Sequence, residues 1–307
     1  MSKIFYEIMH RENCVAQIST VGECKIYLED FMPYDLMLEE SNDFDKRIKN
    51  AMSFYSWCAS RMIPPDRTYA KEILNSIGAS QSVTDRERAQ IALSYHCLSL
   101  LDVFWVKEEN EKIRFEDINL FAHSLSNALV DIALRGHQMT VTNAHLLAND
   151  LSTGGLYPKA WVRKEDGFYL YKDGGRDAVE REVLASKICR CFDCHQVLYE
   201  QGMFENEPVS ISKIMTSQRY SLVTYAAYDV YCTNHDWNTL DKILELDAPS
   251  YYMMNILDYL VGNTDRHWEN WGLLVDNETN QPIRLHDLMD FNRAFQQYDT
   301  PEGANCC

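Results

Sequence analysis

The chain has 307 residues, 46% of them hydrophobic and 24% charged, with a formal net charge of −17 at pH 7. That size and composition suit a soluble protein of two domains, or one two-lobed unit with an extension. The acidic balance argues against direct nucleic-acid binding, because a phosphate backbone repels such a surface, but it leaves room for a nucleotide offset by local cations and magnesium.

The N-terminal MSKIFYEIMHREN mixes charges with apolar residues and has no stretch of signal-peptide length. No run approaches the roughly 18 apolar residues of a spanning helix, and the ten cysteines show no disulfide-framework spacing. These features predict a cytoplasmic protein with reduced thiols and no membrane partner. Residues 15–28 read as two short strands turning at Val21-Gly22-Glu23. From Phe44 to Gly136 the pattern is mainly helical. Thr84, followed by Asp85, Arg86 and Glu87, reads as the capped start of a helix running to about Trp105. A further helix fits 116–134, ahead of Gly136. Residues 1–140 are therefore expected to form a mostly helical N-terminal region, and nothing in them concentrates catalytic residue types.

The character changes near Asn143. Ser152-Thr153-Gly154-Gly155 supplies a loop whose backbone N–H groups suit phosphate oxygens, although a Gly pair alone usually marks a turn and no Gly-Lys-Ser/Thr follows. Two strand-like runs then meet at Glu165-Asp166-Gly167, a hairpin signal. A helix fits 177–194, a β run 208–215, and mostly helical sequence continues to Val261. The end reads loop, strand, turn, strand: GNTDRHWEN, WGLLVD, NETNQP, IRLHDLMDFN.

Those last strands carry the main chemical signal. With the turn centred near Thr279 and Asn280, Asn270 faces residue 289, beside Asp290. The hairpin would thus bring an amide oxygen and a carboxylate together, and such oxygen ligands suit magnesium. Asp287 is the competing carboxylate. Asp265 lies on the same loop and would orient or deprotonate a hydroxyl. In Phe168-Tyr169-Leu170-Tyr171-Lys172, alternation puts Lys172 on the face of Phe168 and Leu170. The following helix offers Glu182 on a stripe with the small residues Ala185, Ser186 and Cys189, so Glu182 would approach Lys172 and fix it against nucleotide phosphates. Glu180 is the alternative partner.

Together, Gly262-Asn263-Thr264-Asp265-Arg266-His267 through Asn270, Leu288-Met289-Asp290-Phe291-Asn292, Lys172 and the Glu180–Lys187 helix resemble the HipA-like kinases over roughly residues 143–300. The resemblance implies an α+β fold, a two-lobed protein-kinase-like domain with a small β-rich N-lobe (141–215) and a helical C-lobe (216–307). It implies ATP- and Mg2+-dependent phosphorylation of a protein Ser or Thr, with Asp265 as base, Asn270 and Asp290 as metal ligands, and Lys172, Glu182 and Ser152–Gly155 binding ATP. A protein substrate and an antitoxin-like partner follow from the same likeness. Three features depart from it. Glu269 stands where the family commonly has Lys, so a phosphate contact is missing or supplied by Arg266 or Lys159. Only 17 residues follow Asp290, which implies a trimmed C-lobe or a fragment. Residues 1–140 exceed what a small β subdomain needs. A catalytically weak nucleotide-binding regulator acting through protein contacts is the rival.

Among the other motifs, CRCFDCH (Cys189, Cys191, Cys194, His195) is expected to hold reduced thiols rather than zinc, since one ligand points away and no second cluster accompanies it. His267 is expected to support the loop, and Trp268 and Trp271 to anchor it by packing.

Overall fold

The computed structural model describes residues 3–62, 84–123, 159–204 and 206–299. The chain divides into two compact units, Met1–Leu156 and Tyr157–Cys307. No helix among the described residues is long and apolar enough to cross a membrane.

In the first unit, β1 (Phe5–His10), β2 (Asn13–Ser19), β3 (Cys24–Ile26) and β4 (Phe104–Glu108) form an antiparallel sheet in the order β3-β2-β1-β4. The expected β2–β3 turn is present. Gly22 sits there at φ +78°, and a Cβ on it would lie 1.7 Å from the Arg47 carbonyl oxygen, so only glycine fits. Helix α1 (Phe44–Ser60) is capped by Asp43, whose side chain accepts the Lys46 N–H. Helix α2 (Asp85–Ser94) begins at a full Thr84/Glu87 capping box.

The helix expected to reach Trp105 needs correction. It stops at Ser94, and His96 and Cys97 both take positive φ. Phe104–Glu108 is instead β4, paired with β1. Sheet pairing overrides local propensity because it buries Trp105 completely. The region is therefore not simply helical: its described core is a sheet with helices beside it. The expected 116–134 helix is described only as α3 (Phe115–Ile118), and its remainder lies outside the described residues.

In the second unit, β5 (Lys159–Lys164) and β6 (Gly167–Lys172) form the anticipated hairpin, pairing Lys164 with Gly167. Helix α4 (Arg176–Cys189) follows, then β7 (Tyr199–Phe204) and β8 (Glu207–Lys213), giving a sheet of order β5-β6-β8-β7. A second, three-stranded sheet has the order β11-β10-β9, built from β9 (Tyr220–Thr224), β10 (Gly272–Asp276) and β11 (Gln281–Leu285). Helices α5 (Tyr225–Asn234) and α6 (Thr239–Val261) lie between β9 and β10 in the chain. β7 and β9 were not anticipated, and β9 interrupts the stretch expected to be helical to Val261.

Candidate functional site

Helix α6 delivers the loop. It kinks at Asp247, where Pro249 enters the first turn of its second half. Asp247 Oδ1 accepts the Ser250 N–H at 3.2 Å, and Oδ2 accepts the Leu285 N–H at 3.0 Å, which fastens the helix to β11. The helix ends at Gly262 in the left-handed conformation at φ 59°. Asn263, buried, donates to Asp258 at 2.9 Å and accepts the Asp265 N–H, while His267 donates its N–H to the Asp265 carbonyl at 2.8 Å

, and its ring nitrogen Nδ1 accepts the Glu269 N–H at 3.3 Å. His267 thus supports the loop as expected. Trp271 is buried and stacks on Tyr225 with ring centroids 4.5 Å apart. Trp268 also touches Tyr225, at 5.6 Å, but stays largely exposed, so only Trp271 is a buried anchor.

The β10–β11 hairpin does bring the two acidic segments together, with a pairing one residue tighter than anticipated: Leu273 faces Leu285, and the register shifts between Leu274 and Val275. Beyond the strands, Arg266 takes over. Its Nε and Nη2 bond the two carboxylate oxygens of Asp258 at 2.8 and 2.9 Å. Its Nη1 donates to the Asn270 carbonyl at 2.8 Å and to the Met289 carbonyl at 2.6 Å. One guanidinium nitrogen therefore clamps the residue that carries the amide to the residue before Asp290. This corrects the expectation that Arg266 stands in for a phosphate-binding lysine, because four of its five N–H donors are committed to the protein. Lys159 remains a cation whose charge reaches Asp290.

Lys172 ends β6, buried, opposite Lys159 on one side and Ser210 on the other. Glu182, Ala185, Ser186 and Cys189 form a buried stripe on α4, as their spacing predicts, and this lets the helix approach the sheet. Lys172 Nζ lies 2.8 Å from Glu182 Oε1 and 3.0 Å from Asp290 Oδ1. Glu182 Oε2 accepts the Ser210 hydroxyl. Glu180 is exposed, which removes it as the partner. Asp287 is paired with Arg284 at 2.8 Å, so Asp290 is the carboxylate that meets the lysine.

The electrostatics follow from this geometry. Burial works against the Lys172 charge, but Asp290 and Glu182 outweigh it and hold its pKa well above the ordinary lysine value. Burial likewise pushes the Asp290 carboxyl up, yet the charges of Lys172, Lys159 and Arg266 prevail and hold it at about 2. Asp290 is ionised at neutral pH.

Asp265 lies five positions before Asn270 on the same loop, with its Oδ2 3.4 Å from Arg293 Nε. Asn270 donates its amide to the Asp265 carbonyl at 2.9 Å, and its Oδ1 accepts no hydrogen bond among the described residues. The second carboxylate oxygen of Asp290 is likewise without a donor there. Two hard oxygens left open on adjoining segments fit a small divalent cation that completes its shell with water or phosphate. Among the described residues no three His, Cys, Asp or Glu side chains gather into a metal cluster, and Cys189, Cys191 and Cys194 form no disulfide. Ser152, Thr153, Gly154 and Gly155 lie outside the described residues.

Arg293 and Tyr199 are the neighbours that sequence reasoning missed. Tyr199 is buried with its ring 5.2 Å from Lys172 Nζ, and its hydroxyl accepts the Asp290 N–H at 3.1 Å. Nothing in the period of residues 199–204 marks such a contact, since its partner lies 91 positions away.

No family model matches the chain, and no curated protein matches it. Among solved structures, the Shewanella oneidensis MR-1 toxin–antitoxin complex of HipA, HipB and operator DNA contains a similar chain, with 12% identity and a TM-score of 0.51 over 96% of this chain and 77% of that one. The likeness is one of fold, a mixed arrangement of antiparallel sheets and helices, and the matched stretch covers nearly the whole chain rather than residues 143–300 alone. The Helicobacter pylori proinflammatory kinase CtkA matches at 19% identity and a TM-score of 0.38, over 45% of this chain. The chain spans 55% of the CtkA structure, a likeness too low to bear on the fold.

Proposed function

We propose that the second unit is an ATP- and magnesium-dependent phosphotransferase acting on a protein Ser or Thr, with β5–β8 and α4 as its small lobe and the segment from β9 onward as its larger one. The observation that carries this reading is Lys172, buried and held between Glu182 at 2.8 Å and Asp290 at 3.0 Å. A charge placed at such depth by a carboxylate on a neighbouring helix is pre-organised for phosphate oxygens and needs no reorganisation when they arrive.

In this reading Asp290 and the free Oδ1 of Asn270 hold magnesium, which supplies neutralisation of the phosphate charge. Asp265 orients the attacking hydroxyl and accepts its proton as the oxygen bonds to the γ-phosphorus and the bond to the departing ADP breaks. Asp265 Oδ1, which accepts no hydrogen bond among the described residues, would take this role, while Arg293 Nε lies 3.4 Å from Oδ2. The sequence of Ser152–Gly155 supports a phosphate loop whose backbone N–H groups would meet the nucleotide.

The HipA neighbour is solved with a protein partner and DNA, which supports proposing an antitoxin-like protein partner for this chain. The net charge of −17 keeps direct DNA binding outside the proposal, and the cytoplasm is the proposed location. Glu269, exposed where a phosphate-binding lysine would be expected, favours the rival of a weakly catalytic nucleotide-binding regulator.

One experiment separates these. Purified protein incubated with labelled ATP and magnesium should transfer phosphate to protein. Asp265→Asn should keep magnesium-dependent ATP binding and lose about 10²–10⁴-fold in transfer, whereas Asp290→Asn should lose much of the metal-dependent affinity. Binding without transfer in the wild type favours the regulator. No effect of either substitution on binding or transfer refutes the site.

A further inference from the structure

Asp290 is one of eight non-glycine residues with positive φ among the described residues, at 62°. Asp tolerates this left-handed conformation better than most residues, but it is still disfavoured and persists only where its surroundings hold it. Strand pairing does not supply that hold, because β11 ends at Leu285.

The surroundings come from the chain between α4 and β7. Leu288 donates its N–H to the His195 carbonyl at 3.0 Å, and Val197 donates its N–H to the Leu288 carbonyl at 2.9 Å, a short parallel bridge. Two residues on, Tyr199 reaches across the same gap, and its hydroxyl accepts the Asp290 N–H at 3.1 Å. Tyr199 is itself fixed: its own N–H donates to Ser186 Oγ at 3.2 Å, and Ser186 is fully buried on α4, one turn beyond Glu182. Its ring lies 5.2 Å from Lys172 Nζ. Tyr199 thus links three parts: its backbone N–H holds the helix carrying Glu182, its ring lies against Lys172, and its hydroxyl holds the turn carrying Asp290.

We infer that Tyr199 is a positioning residue, whose hydroxyl locks the Asp290 turn in the left-handed conformation that aims the carboxylate at Lys172 and the metal; this rests on the function proposed above. The hydroxyl touches no reacting atom. Its work is to occupy an amide that neither sheet accepts, so that the turn has one populated arrangement instead of several.

Tyr199→Phe is the test, because it deletes one oxygen and keeps the ring that packs against Lys172. Without any nucleotide, hydrogen exchange of the full chain should show the Leu288–Asn292 peptide exchanging about tenfold faster, the scale of one lost bond to a buried amide, with the β5–β6 peptides unchanged. With ATP, the magnesium concentration for half-maximal binding should rise about tenfold while the rate at saturating magnesium changes little. Unchanged exchange at 288–292 and an unchanged magnesium midpoint overturn the inference. Faster exchange throughout the second unit also overturns it, since it marks a packing role alone. A wild type that binds no ATP with magnesium refutes the functional reading instead, while the nucleotide-free exchange still decides whether Tyr199 holds the turn.

Discussion

Replacing Lys172 by Met tests the centre of the site through stability before any activity is measured. Methionine keeps most of the side-chain volume and removes the charge. What remains is Glu182, 1% exposed, with only the Ser210 hydroxyl on its second oxygen, and Asp290, which keeps the charges of Lys159 and Arg266 nearby. The cost therefore falls mainly on Glu182. Breaking a buried ion pair by removing one partner costs about 3–5 kcal/mol, because a desolvated charge is left uncompensated. We expect Lys172→Met to lose about 3–4 kcal/mol, given that Asp290 is partly relieved by its other cations.

Guanidinium unfolding of the full chain at pH 7, followed by the fluorescence of its six tryptophans, reads this directly. The pH is chosen from the signs of the two shifts. The raised Lys172 pKa contributes stability that is present below the unfolded lysine value and lost as pH rises through the folded one. The Asp290 pKa of about 2 contributes stability present above the unfolded aspartate value and lost as pH falls through about 2. At pH 7 both are fully present. The double variant Lys172→Met with Glu182→Gln should recover to within about 1 kcal/mol of the wild type, since both members of the buried pair are then neutral. A loss below about 0.5 kcal/mol in the single variant, or a double variant less stable than the single, refutes the buried bridge. The result also bears on any binding assay: a Lys172→Ala variant that fails to bind ATP would have lost fold stability too, so the double variant is the one that tests the proposed nucleotide contact.

Three further outcomes follow from the geometry. Arg266→Lys cannot reproduce four directed hydrogen bonds, so it should lose about 2–4 kcal/mol and loosen the 265–270 and 288–290 peptides together in hydrogen exchange. Gly272→Ala would set a Cβ 2.1 Å from the Val223 carbonyl oxygen; thermal unfolding should show about 1–3 kcal/mol of destabilisation from overpacking at the β9–β10 contact. His10 packs between Phe31 and Phe104, and burial, helped by Arg11, lowers its pKa to about 4. A lowered histidine pKa means stability is lost as pH falls from about 6.5 through 4, so His10→Phe should flatten that acid limb by about 3 kcal/mol at pH 4, as read by denaturant midpoints at each pH.

Much of the candidate site's geometry was legible because its parts are local. Hairpin arithmetic places Asn270 near Asp290 to within one residue, and helical spacing on α4 selects Glu182 over Glu180, because a turn and a 3.6-residue period each act over short distances. The Thr84–Glu87 box marks a helix start for the same reason. The end of that helix was not legible, since it depends on Phe104–Glu108 pairing with Phe5–His10, nearly a hundred residues earlier. β9 was hidden likewise: its five residues acquire strand character only by pairing with β10, after two intervening helices. Arg266 and Tyr199 look ordinary in sequence. What each does is set by carbonyl and amide groups of the 288–290 turn, and those partners exist only once the hairpin, α4 and β7 have packed into one unit. Local periodicity determined which side chains face the site; long-range hydrogen bonding decided which conformation holds them there, because the groups that satisfy a strained turn need not be neighbours in sequence.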